Sequence, residues 1–470
     1  MKLTKNLFGE FGIILFLALV VRLAYTVGLY LGMGPEGLLV EDSTLYLKSA
    51  NDFLKNGDFV KNVSDTIVVP ETERMPLYII FLSLHQFISG NINSLFPALT
   101  QAFIGAGACV VIAKIGALLN PKLGQPAGLI AAFNPTLIIV GANILTDGLF
   151  FLLISLGLLF SIKWLRSPSW KSALYIGIFL ALAISTRAMA FPWAIFCILA
   201  LPIGVLFLQK FKFKYIWHMF LAGLIIVVFQ SPIVIRNLDK FDSWHLTSQG
   251  GTYALNWIVP LVLEVDSGTP QAIGSAKMRE LHLDKYGDSL SSNPFVQSKQ
   301  MTDVAKIALW ETDSKSIIKA WVIGAGINLF SPAPIVSPPI KDIPRTGFYD
   351  VPGENKFNKI KSFIFNNDSP IYSSILVISL VGIVIVRIAQ IFGLISIFSC
   401  TKHLSNKNDR LFQRIAFSFL TLWAFYVLLI NGPIASPKYR MPLESVAIIS
   451  LAMFYVGFAS HWMKKLKQLL

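Results

Sequence analysis

Charged residues are scarce in this chain. Asp, Glu, Lys and Arg make up 14% of its 470 residues, whereas soluble domains have about 25%. Hydrophobic residues make up 54%, and the mean hydropathy is +0.63. This composition excludes an ordinary soluble domain and predicts a membrane protein that crosses the bilayer several times.

Cysteines are also few, and nucleotide-binding motifs are absent from the sequence. The three cysteines, Cys109, Cys197 and Cys400, all lie in apolar segments, where they act as small core residues. They imply no disulfide framework. The sequence has no Walker loop, no C-x-x-C pair and no repeat of 20–50 residues. An ATP-driven transporter therefore has no support.

Long apolar runs dominate what is present. A membrane-spanning helix needs roughly 20 apolar residues. The first run is too long for a signal peptide and has no A-x-A cleavage site, so it is expected to stay as a span. The sequence predicts an all-α polytopic protein with about ten transmembrane helices, at 11–33, 97–119, 124–145, 148–165, 172–190, 191–209, 214–235, 373–400, 414–432 and 441–461.

The basic residues predict the orientation of these spans. Short loops rich in Lys and Arg face the cytoplasm. All six basic clusters lie on the same side of the membrane if segments 76–92 and 317–335 do not cross it. We therefore expect 76–92 to be interfacial and 317–335 to be a re-entrant or surface helix. The basic clusters are Lys2/Lys5, Lys114/Lys122, Lys163/Arg166/Lys171, Lys210/Lys212/Lys214, Lys402 to Arg414, and Lys464/Lys465/Lys467.

This topology divides the chain into three parts. Residues 1–235 form a seven-span core that includes a first outer loop, 34–96, and residues 373–470 form a three-span bundle. Residues 236–372 form a second outer region. The net charge of +14 is explained by the cytoplasmic loops, so nucleic-acid binding is not expected.

The first outer loop has the opposite charge and a predicted helix. Residues 34–75 carry eight acidic and four basic side chains. Apolar residues from Ser43 to Asn56 recur at helical spacing, with Asp42 or Ser43 as N-cap and Gly57 as the stop. Asp42 is therefore either a helix cap or a general base beside the membrane, and the local sequence leaves both readings open. A similar surface helix is predicted from Ser298 to Thr312.

Several arginines fall on the predicted outer side. Arg74 lies in the first loop, and Arg187, Arg236 and Arg440 end or begin spans. Such residues often extend to lipid headgroups. Their shared side also allows them to converge on a phosphate, which guanidinium groups bind in bidentate fashion.

The order of these motifs resembles a known family. The matching segments are Asp42-Ser43-x-x-Tyr46, Arg74-x-Pro76-Leu77-Tyr78, Asn134-Pro135, Leu145-Thr146-Asp147, Arg187, Ile235-Arg236-Asn237 and Tyr439-Arg440-Met441-Pro442. They look like those of C-type glycosyltransferases related to dolichyl-phosphate-mannose protein mannosyltransferases, glycosyltransferase family 39. The resemblance is strong over 11–251 and weak over 252–372.

The resemblance implies an inverting sugar transfer from a polyprenyl-phosphate donor at the outer face. Asp42 would be the base, and Arg74, Arg187, Arg236 and Arg440 would hold the lipid phosphate. The remaining substrate-binding positions would be Tyr46, Tyr78, Asp147, Asn237 and Tyr439.

The chain departs from the family at the acidic pair. Many relatives have an acidic residue after the catalytic Asp, whereas here Glu41 precedes Asp42 and Ser43 follows it, which makes Glu41 a candidate substitute. Some relatives use a metal in this loop. None of the six histidines forms an H-x-x-x-H pair or lies within 34–75, and a divalent ion bound by carboxylates stays open as an alternative.

The expected partners are a polyprenyl-phosphate-linked sugar, membrane lipids, and an acceptor that is a glycan, a lipid or a protein. The expected location is the inner (plasma) membrane, with the site facing outward. Two other functions stay open: a lipid-linked glycan transporter, and a polymerase or ligase that uses a lipid-diphosphate glycan. Inverted repeats, which many transporters show, are absent from the sequence.

Overall fold

The computed structural model describes residues 3–62, 68–210, 212–287, 291–347, 350–351, 356–365, 368–399 and 407–469. Cys400 and the first part of the predicted basic loop, 401–406, lie outside these residues. Apart from one two-stranded sheet, the regular structure of the described ranges is helical, which confirms the all-α fold.

The elements follow one another along the chain with short connections. The two strands are β1 (Val60–Asn62) and β2 (Val68–Pro70), and they pair antiparallel with Lys61 opposite Val69. The helices are α1 (Leu3–Met33), α2 (Glu41–Asn56), α3 (Pro76–Ser89), α4 (Leu95–Leu119), α5 (Gly124–Ala132), α6 (Pro135–Ala142), α7 (Thr146–Arg166), α8 (Trp170–Thr186), α9 (Ala190–Leu208), α10 (Lys214–Phe241), α11 (Gln249–Tyr253), α12 (Val259–Asp266), α13 (Gln271–Tyr286), α14 (Pro294–Glu311), α15 (Ser314–Phe330), α16 (Pro338–Lys341), α17 (Lys356–Phe365), α18 (Pro370–Ser399), α19 (Lys407–Asn431) and α20 (Glu444–Leu469).

Eight of the described helices are long and apolar enough to cross a membrane: α1, α4, α7, α9, α10, α18, α19 and α20. The chain is therefore a multi-pass membrane protein. The helix pair α5 and α6 can supply a ninth crossing, and α8 is an apolar helix of 17 residues. Each of the ten predicted segments thus corresponds to a helix or a helix pair. Helix α3, at 14 residues, is shorter than a span, as expected for 76–92.

The predicted span at 124–145 is a broken one, because the chain bends by 47° between α5 and α6. Pro135 begins α6, and the Asn134 side chain accepts a hydrogen bond from the Leu137 amide at 3.1 Å. Arg22 of α1 donates to the carbonyls of Ala131 and Ala132, at 3.2 and 3.1 Å. A proline and a capping asparagine end one helix and start the next, and a buried guanidinium satisfies the carbonyls left free.

Helix α2 confirms the predicted surface helix but corrects its start. Val40 is the N-cap, so Asp42 lies inside the first turn and neither Asp42 nor Ser43 is the cap. The Ser43 hydroxyl instead accepts a hydrogen bond from the Val40 amide at 2.9 Å. Gly57 ends the helix with φ of 68°, a left-handed conformation that glycine adopts at little cost.

A separate small core lies in the outer region, among α11 to α14. Leu255, Val259, Met278 and Val304 are buried together there. Helix α14 contains the predicted helix 298–312 and starts earlier, at Pro294, because Asn293 caps it. The 317–335 segment forms α15 and a short 3-10 turn, Ala333–Val336.

The last three helices pack into the same hydrophobic core as the first spans. That core runs from Ile14 of α1 through Trp164 of α7 to Phe417 and Ile448 of α19 and α20. A 3-10 helix, Pro437–Leu443, precedes α20 and brings the Tyr439-Arg440 motif against the N-terminal half of the molecule. The carboxyl-terminal motif is thereby placed beside α2 and α7.

Candidate active site

The Asp42 side chain pairs with a residue from the other end of the chain. Its Oδ2 atom accepts a hydrogen bond from Lys438 Nζ at 2.7 Å, across 396 residues of sequence. The Asp42 side chain is 48% exposed, so one edge stays open to solvent. Asp42 is therefore an accessible carboxyl group that a cation holds in place.

Glu41 faces away from that pair. Its side chain is 90% exposed, and it lies 3.5 Å from Lys341 Nζ. The two neighbouring carboxylates thus have separate partners and lie in different environments.

A second ion pair, between Asp147 and Arg187, lies at the start of α7. Asp147 is buried in the first turn, where the helix dipole favours an anion. Arg187 follows the last residue of α8, and its Nη1 atom donates to Asp147 Oδ1 at 2.6 Å. The guanidinium also lies 5.6 Å from the centre of the Phe150 ring. One edge of Arg187 remains partly exposed.

Aromatic side chains join α2 to α3. The rings of Tyr46 and Tyr78 meet edge to face, with centres 5.3 Å apart. Arg74 lies over Tyr46 at 5.6 Å from the ring centre. Tyr78 is fully buried, and its hydroxyl donates to Gln101 Oε1 at 2.5 Å. Tyr78 therefore fixes the position of Tyr46, while Tyr46 faces the cationic group.

Arg74 is held by a buried carboxylate. Glu71 has no exposed surface, and its Oε2 atom lies 3.3 Å from Arg74 Nη1. Glu71 Oε1 accepts from the amides of Glu73 and Arg74 at 2.9 and 3.2 Å. Glu71 thus shapes the loop that carries Arg74, and no sequence pattern distinguishes it from the other acidic residues of this loop.

Arg236 and Asn237 form a unit at the end of α10. Arg236 Nη2 donates to Asn237 Oδ1 at 2.8 Å and its guanidinium lies 5.3 Å from the Phe59 ring centre. Asn237 is buried and donates to the carbonyl of His245 at 2.7 Å. Asn237 therefore orients Arg236 and holds the chain that follows α10.

Electrostatic contacts join these groups into one cluster. Tyr46 interacts with the charges of Asp42, Arg74, Asp147 and Arg187. Burial raises the pKa of Tyr46 above its ordinary value, with the arginines opposing the shift, so the phenol stays neutral at physiological pH.

The carboxyl-terminal motif belongs to the same cluster. Asp147 acts on both Lys438 and Tyr439, and Arg187 acts on Tyr439 and on Tyr253. The structure thus brings together α2, α7, the end of α8, α11 and the turn before α20. Lys438 directly precedes the motif Tyr439-Arg440-Met441-Pro442 but was not singled out from the sequence, and neither was Tyr253.

Arg440 lies apart from this cluster, in a buried network. It donates to Thr136 Oγ1 at 2.7 Å, to Glu444 Oε1 at 2.9 Å, and to the carbonyls of Asn328 and Ser331. Glu444 also accepts from Asn134 at 3.0 Å. The Arg440 guanidinium is therefore engaged with protein groups, in contrast to the expectation that it faces a ligand phosphate.

The carboxylates of the site do not form a donor set for a divalent ion. Asp42, Glu41 and Asp147 are each paired with a different cation. Within the described ranges, no three His, Cys, Asp or Glu side chains lie together in a way that could hold a metal ion. The described carboxylates of the site thus do not fit a divalent ion bound by carboxylates.

No family model and no curated protein matches the chain. Among solved structures, the archaeal oligosaccharyltransferase AglB from Archaeoglobus fulgidus, in complex with an inhibitory peptide and a dolichol-phosphate, covers 98% of this chain at 11% identity, with a TM-score of 0.52. The same organism's enzyme tethered with an acceptor peptide covers 95% of this chain at 13% identity and a TM-score of 0.52. The chain spans about half the length of these proteins, 52% and 49%.

ArnT from Cupriavidus metallidurans, bound to undecaprenyl phosphate, covers 95% of this chain and is itself covered over 78% of its length, at 13% identity and a TM-score of 0.39. Only the oligosaccharyltransferase structures, with a TM-score of 0.52, support a structural comparison here. Because their sequence identity is low, the likeness concerns the fold alone. The chain therefore shares its membrane fold with the archaeal oligosaccharyltransferase.

Proposed function

We propose that the protein is a membrane glycosyltransferase that moves a sugar from a polyprenyl-phosphate donor to an acceptor at the outer face of the inner membrane. The observation that carries the proposal is the cluster of Asp42, Lys438, Asp147, Arg187 and Tyr46, which joins an accessible carboxylate to several cations. A transferase with a lipid phosphate as leaving group needs both.

Asp42 is the general base in this mechanism. It removes the proton from an acceptor hydroxyl or amine while that group attacks C1 of the sugar. The bond between C1 and the phosphate oxygen breaks, and its electron pair leaves with the polyprenyl phosphate. Attack from the face opposite the leaving group inverts the configuration at C1. Glu41 is the weaker candidate, because its exposed side chain faces Lys341.

Lys438 occupies Asp42 when no substrate is bound. Its ammonium donates to Asp42 Oδ2 at 2.7 Å, so this oxygen is occupied before a substrate binds. When a donor phosphate enters, it competes for Lys438 and releases the carboxylate. Donor binding and activation of the base are thereby coupled through one side chain.

Arginines stabilise the charge that grows on the departing phosphate. Arg187 and Arg74 are the best placed, because both interact with Tyr46, and Arg236 is held ready by Asn237. Arg440 has a structural role, since protein groups surround its guanidinium. Asp147 orients Arg187, and Tyr78 positions Tyr46. We assign Tyr439 to sugar or phosphate binding because it interacts with Lys438 and Arg187.

The test measures donor consumption by the purified protein in detergent. A panel of undecaprenyl-phosphate monosaccharides is offered with crude membranes as acceptor, and released undecaprenyl phosphate is measured. The wild type is expected to consume at least one donor, and Asp42→Asn to lower the rate by about 10²–10⁴-fold. Asp284→Asn, on the exposed side of α13, is the matched control. Full activity of Asp42→Asn would refute the assignment of the base.

A lipid-linked oligosaccharide is the second candidate donor. Its support is the fold shared with a protein named as an oligosaccharyltransferase, which was solved with a dolichol-phosphate and a peptide. Adding a lipid-diphosphate oligosaccharide to the same panel separates the two donors directly.

A further inference from the structure

An open groove lies in the outer region, between the helix that follows α11 and helix α13. Asn256 and Trp257 form one wall, and Gln271, Ser275 and Arg279 form the other. The groove is open to solvent and has a volume of about 550 Å³, within the range of small-molecule sites. None of these residues belongs to the cluster around Asp42.

The first wall has an unusual backbone. Residues Ala254–Ile258 form a π-helical turn between α11 and α12. Such turns are rare in proteins and occur often at functional sites, because the extra residue displaces side chains from their regular helical positions. Here the turn carries both Asn256 and Trp257. Its Asn256 amide nitrogen donates to the Thr252 carbonyl at 3.2 Å.

Close packing fixes the two walls relative to each other. A Cβ atom on Gly274 of α13 would lie 3.2 Å from Pro260 Cα in α12, so the two helices meet at a glycine. Ser275 Oγ donates across the groove to Asn256 Oδ1 at 3.4 Å. Arg279 Nε in turn donates to the Ser275 carbonyl at 3.3 Å. The groove is thus a formed feature of the fold.

The lining groups are ready for a polyhydroxylated ligand. The Trp257 side chain is 47% exposed, so its ring can stack on an apolar sugar face. The Gln271 amide and the Nη atoms of Arg279 make no hydrogen bond to any residue that the structure describes. Planar amides and a guanidinium offer paired donors and acceptors that match neighbouring hydroxyl groups.

The groove lies close to the candidate active site along one helix. Tyr253 ends α11 and interacts electrostatically with Arg187 and Tyr439. Trp257 follows four residues later, in the π-helical turn that continues α11. A ligand in the groove can therefore extend toward the cluster around Asp42.

We propose that this groove binds a saccharide of the acceptor, so that the acceptor is a glycan or a glycolipid. The proposal deepens the glycosyltransferase function and rests on it for the role of the saccharide, whereas binding itself does not depend on that function.

The test is binding of the detergent-purified full-length protein to an immobilised panel of oligosaccharides. The panel holds mannose, glucose, galactose and N-acetylglucosamine oligomers of two to six sugars. The wild type is expected to be retained on at least one series. Trp257→Ala is expected to weaken that binding about tenfold or more, because a stacked aromatic ring dominates such contacts. Gln271→Ala, on the other wall, should weaken it independently.

Trp310→Ala is the control, because Trp310 is 92% exposed on α14 and does not line the groove. Retention of no saccharide, or equal binding by Trp257→Ala and wild type, would overturn the proposal. A lipid headgroup is the competing occupant. If no saccharide binds and Trp257→Ala instead weakens binding to phosphatidylglycerol vesicles, the groove is a lipid site.

Failure here is distinguishable from failure of the proposed function, because binding is read without turnover. If the wild type consumes donor but binds no saccharide, the proposal for the groove is refuted and the glycosyltransferase function still stands. In the turnover assay, Trp257→Ala should raise the acceptor KM and leave kcat nearly unchanged.

Discussion

At the scale of single residues, the structure separates buried cations that hold the protein from cations that face the site. Arg440 and Arg22 donate to protein groups inside the bundle. Arg187 and Lys438 are each paired with one carboxylate and keep part of their surface exposed. The number of protein partners thus distinguishes structural cations from cations that face the site, although both look alike in the sequence.

Lys438 gives the most specific prediction at this scale. Lys438→Met should lower turnover about 10²-fold and raise the donor KM, because a cation that meets the phosphate is lost. Lys438→Arg should restore part of the activity. The measurement is donor titration of each variant after its folding is checked by thermal unfolding.

Lys341→Met is the control for Lys438→Met, since Lys341 pairs with the exposed Glu41. Its kinetics should match the wild type. Unchanged donor KM and turnover in Lys438→Met would show that the Asp42 pair has no part in donor binding.

Arg440 should affect stability more than donor binding. Removing one partner of a buried ion pair costs about 3–5 kcal/mol, so Arg440→Met should lower the apparent Tm clearly. Lys61→Met, which breaks the partly exposed pair with Glu73, should change the stability by less than about 1 kcal/mol. An unchanged Tm in Arg440→Met, together with a raised donor KM, would return Arg440 to the phosphate site.

At the scale of elements, the helices are placed by close contacts that need small residues. A Cβ atom on Gly251 of α11 would lie 2.1 Å from the Ser298 carbonyl oxygen in α14, whereas one on Gly250 would meet nothing within 4 Å. The Gly251 amide also donates to Ser298 Oγ at 3.0 Å. One glycine of the pair therefore carries the contact between these helices.

This pair of glycines allows a matched test. Gly251→Ala should push α11 from α14 and destabilise the outer helices by about 1–3 kcal/mol, while Gly250→Ala should be close to neutral. Hydrogen exchange of α14 is the readout. Equal protection in the two variants would mean that α11 and α14 are not held by this contact.

The elements also show what the sequence could predict. The apolar runs predicted ten helical segments, and Gly57 marked the end of α2. The break at Asn134-Pro135 was readable in principle, because proline rarely continues a helix. The N-cap of α2 could not be predicted, because a valine takes that position. The capping hydrogen bond is accepted by Ser43, which lies inside the helix.

At the scale of the whole molecule, the site is assembled by contacts between distant parts of the chain. Asp42 meets Lys438 across 396 residues, and Asp147 meets Arg187 across 40. Motif order predicted that these segments belong together, but pairing depends on how the spans pack, which no local pattern specifies. The burial of Arg440 and the role of Glu71 were unpredictable for the same reason.

The predicted topology can be tested on the intact protein. In a background without the native cysteines, a maleimide that does not cross membranes should label Glu41→Cys from outside whole cells. Ser167→Cys, exposed between α7 and α8, should be labelled only after the membrane is opened. Labelling of both positions, or of Ser167→Cys alone, from outside would contradict the orientation from which the outward site is inferred.

The proposed mechanism depends on Asp42 as the base in sugar transfer from a lipid phosphate. Release of undecaprenyl phosphate from the donor panel by wild type and by Asp42→Asn, compared at equal amounts of folded protein, tests it most directly. We expect release by the wild type and a loss of about 10²–10⁴-fold in the variant. Equal release by both proteins, or binding of donor by the wild type without any release, would contradict it.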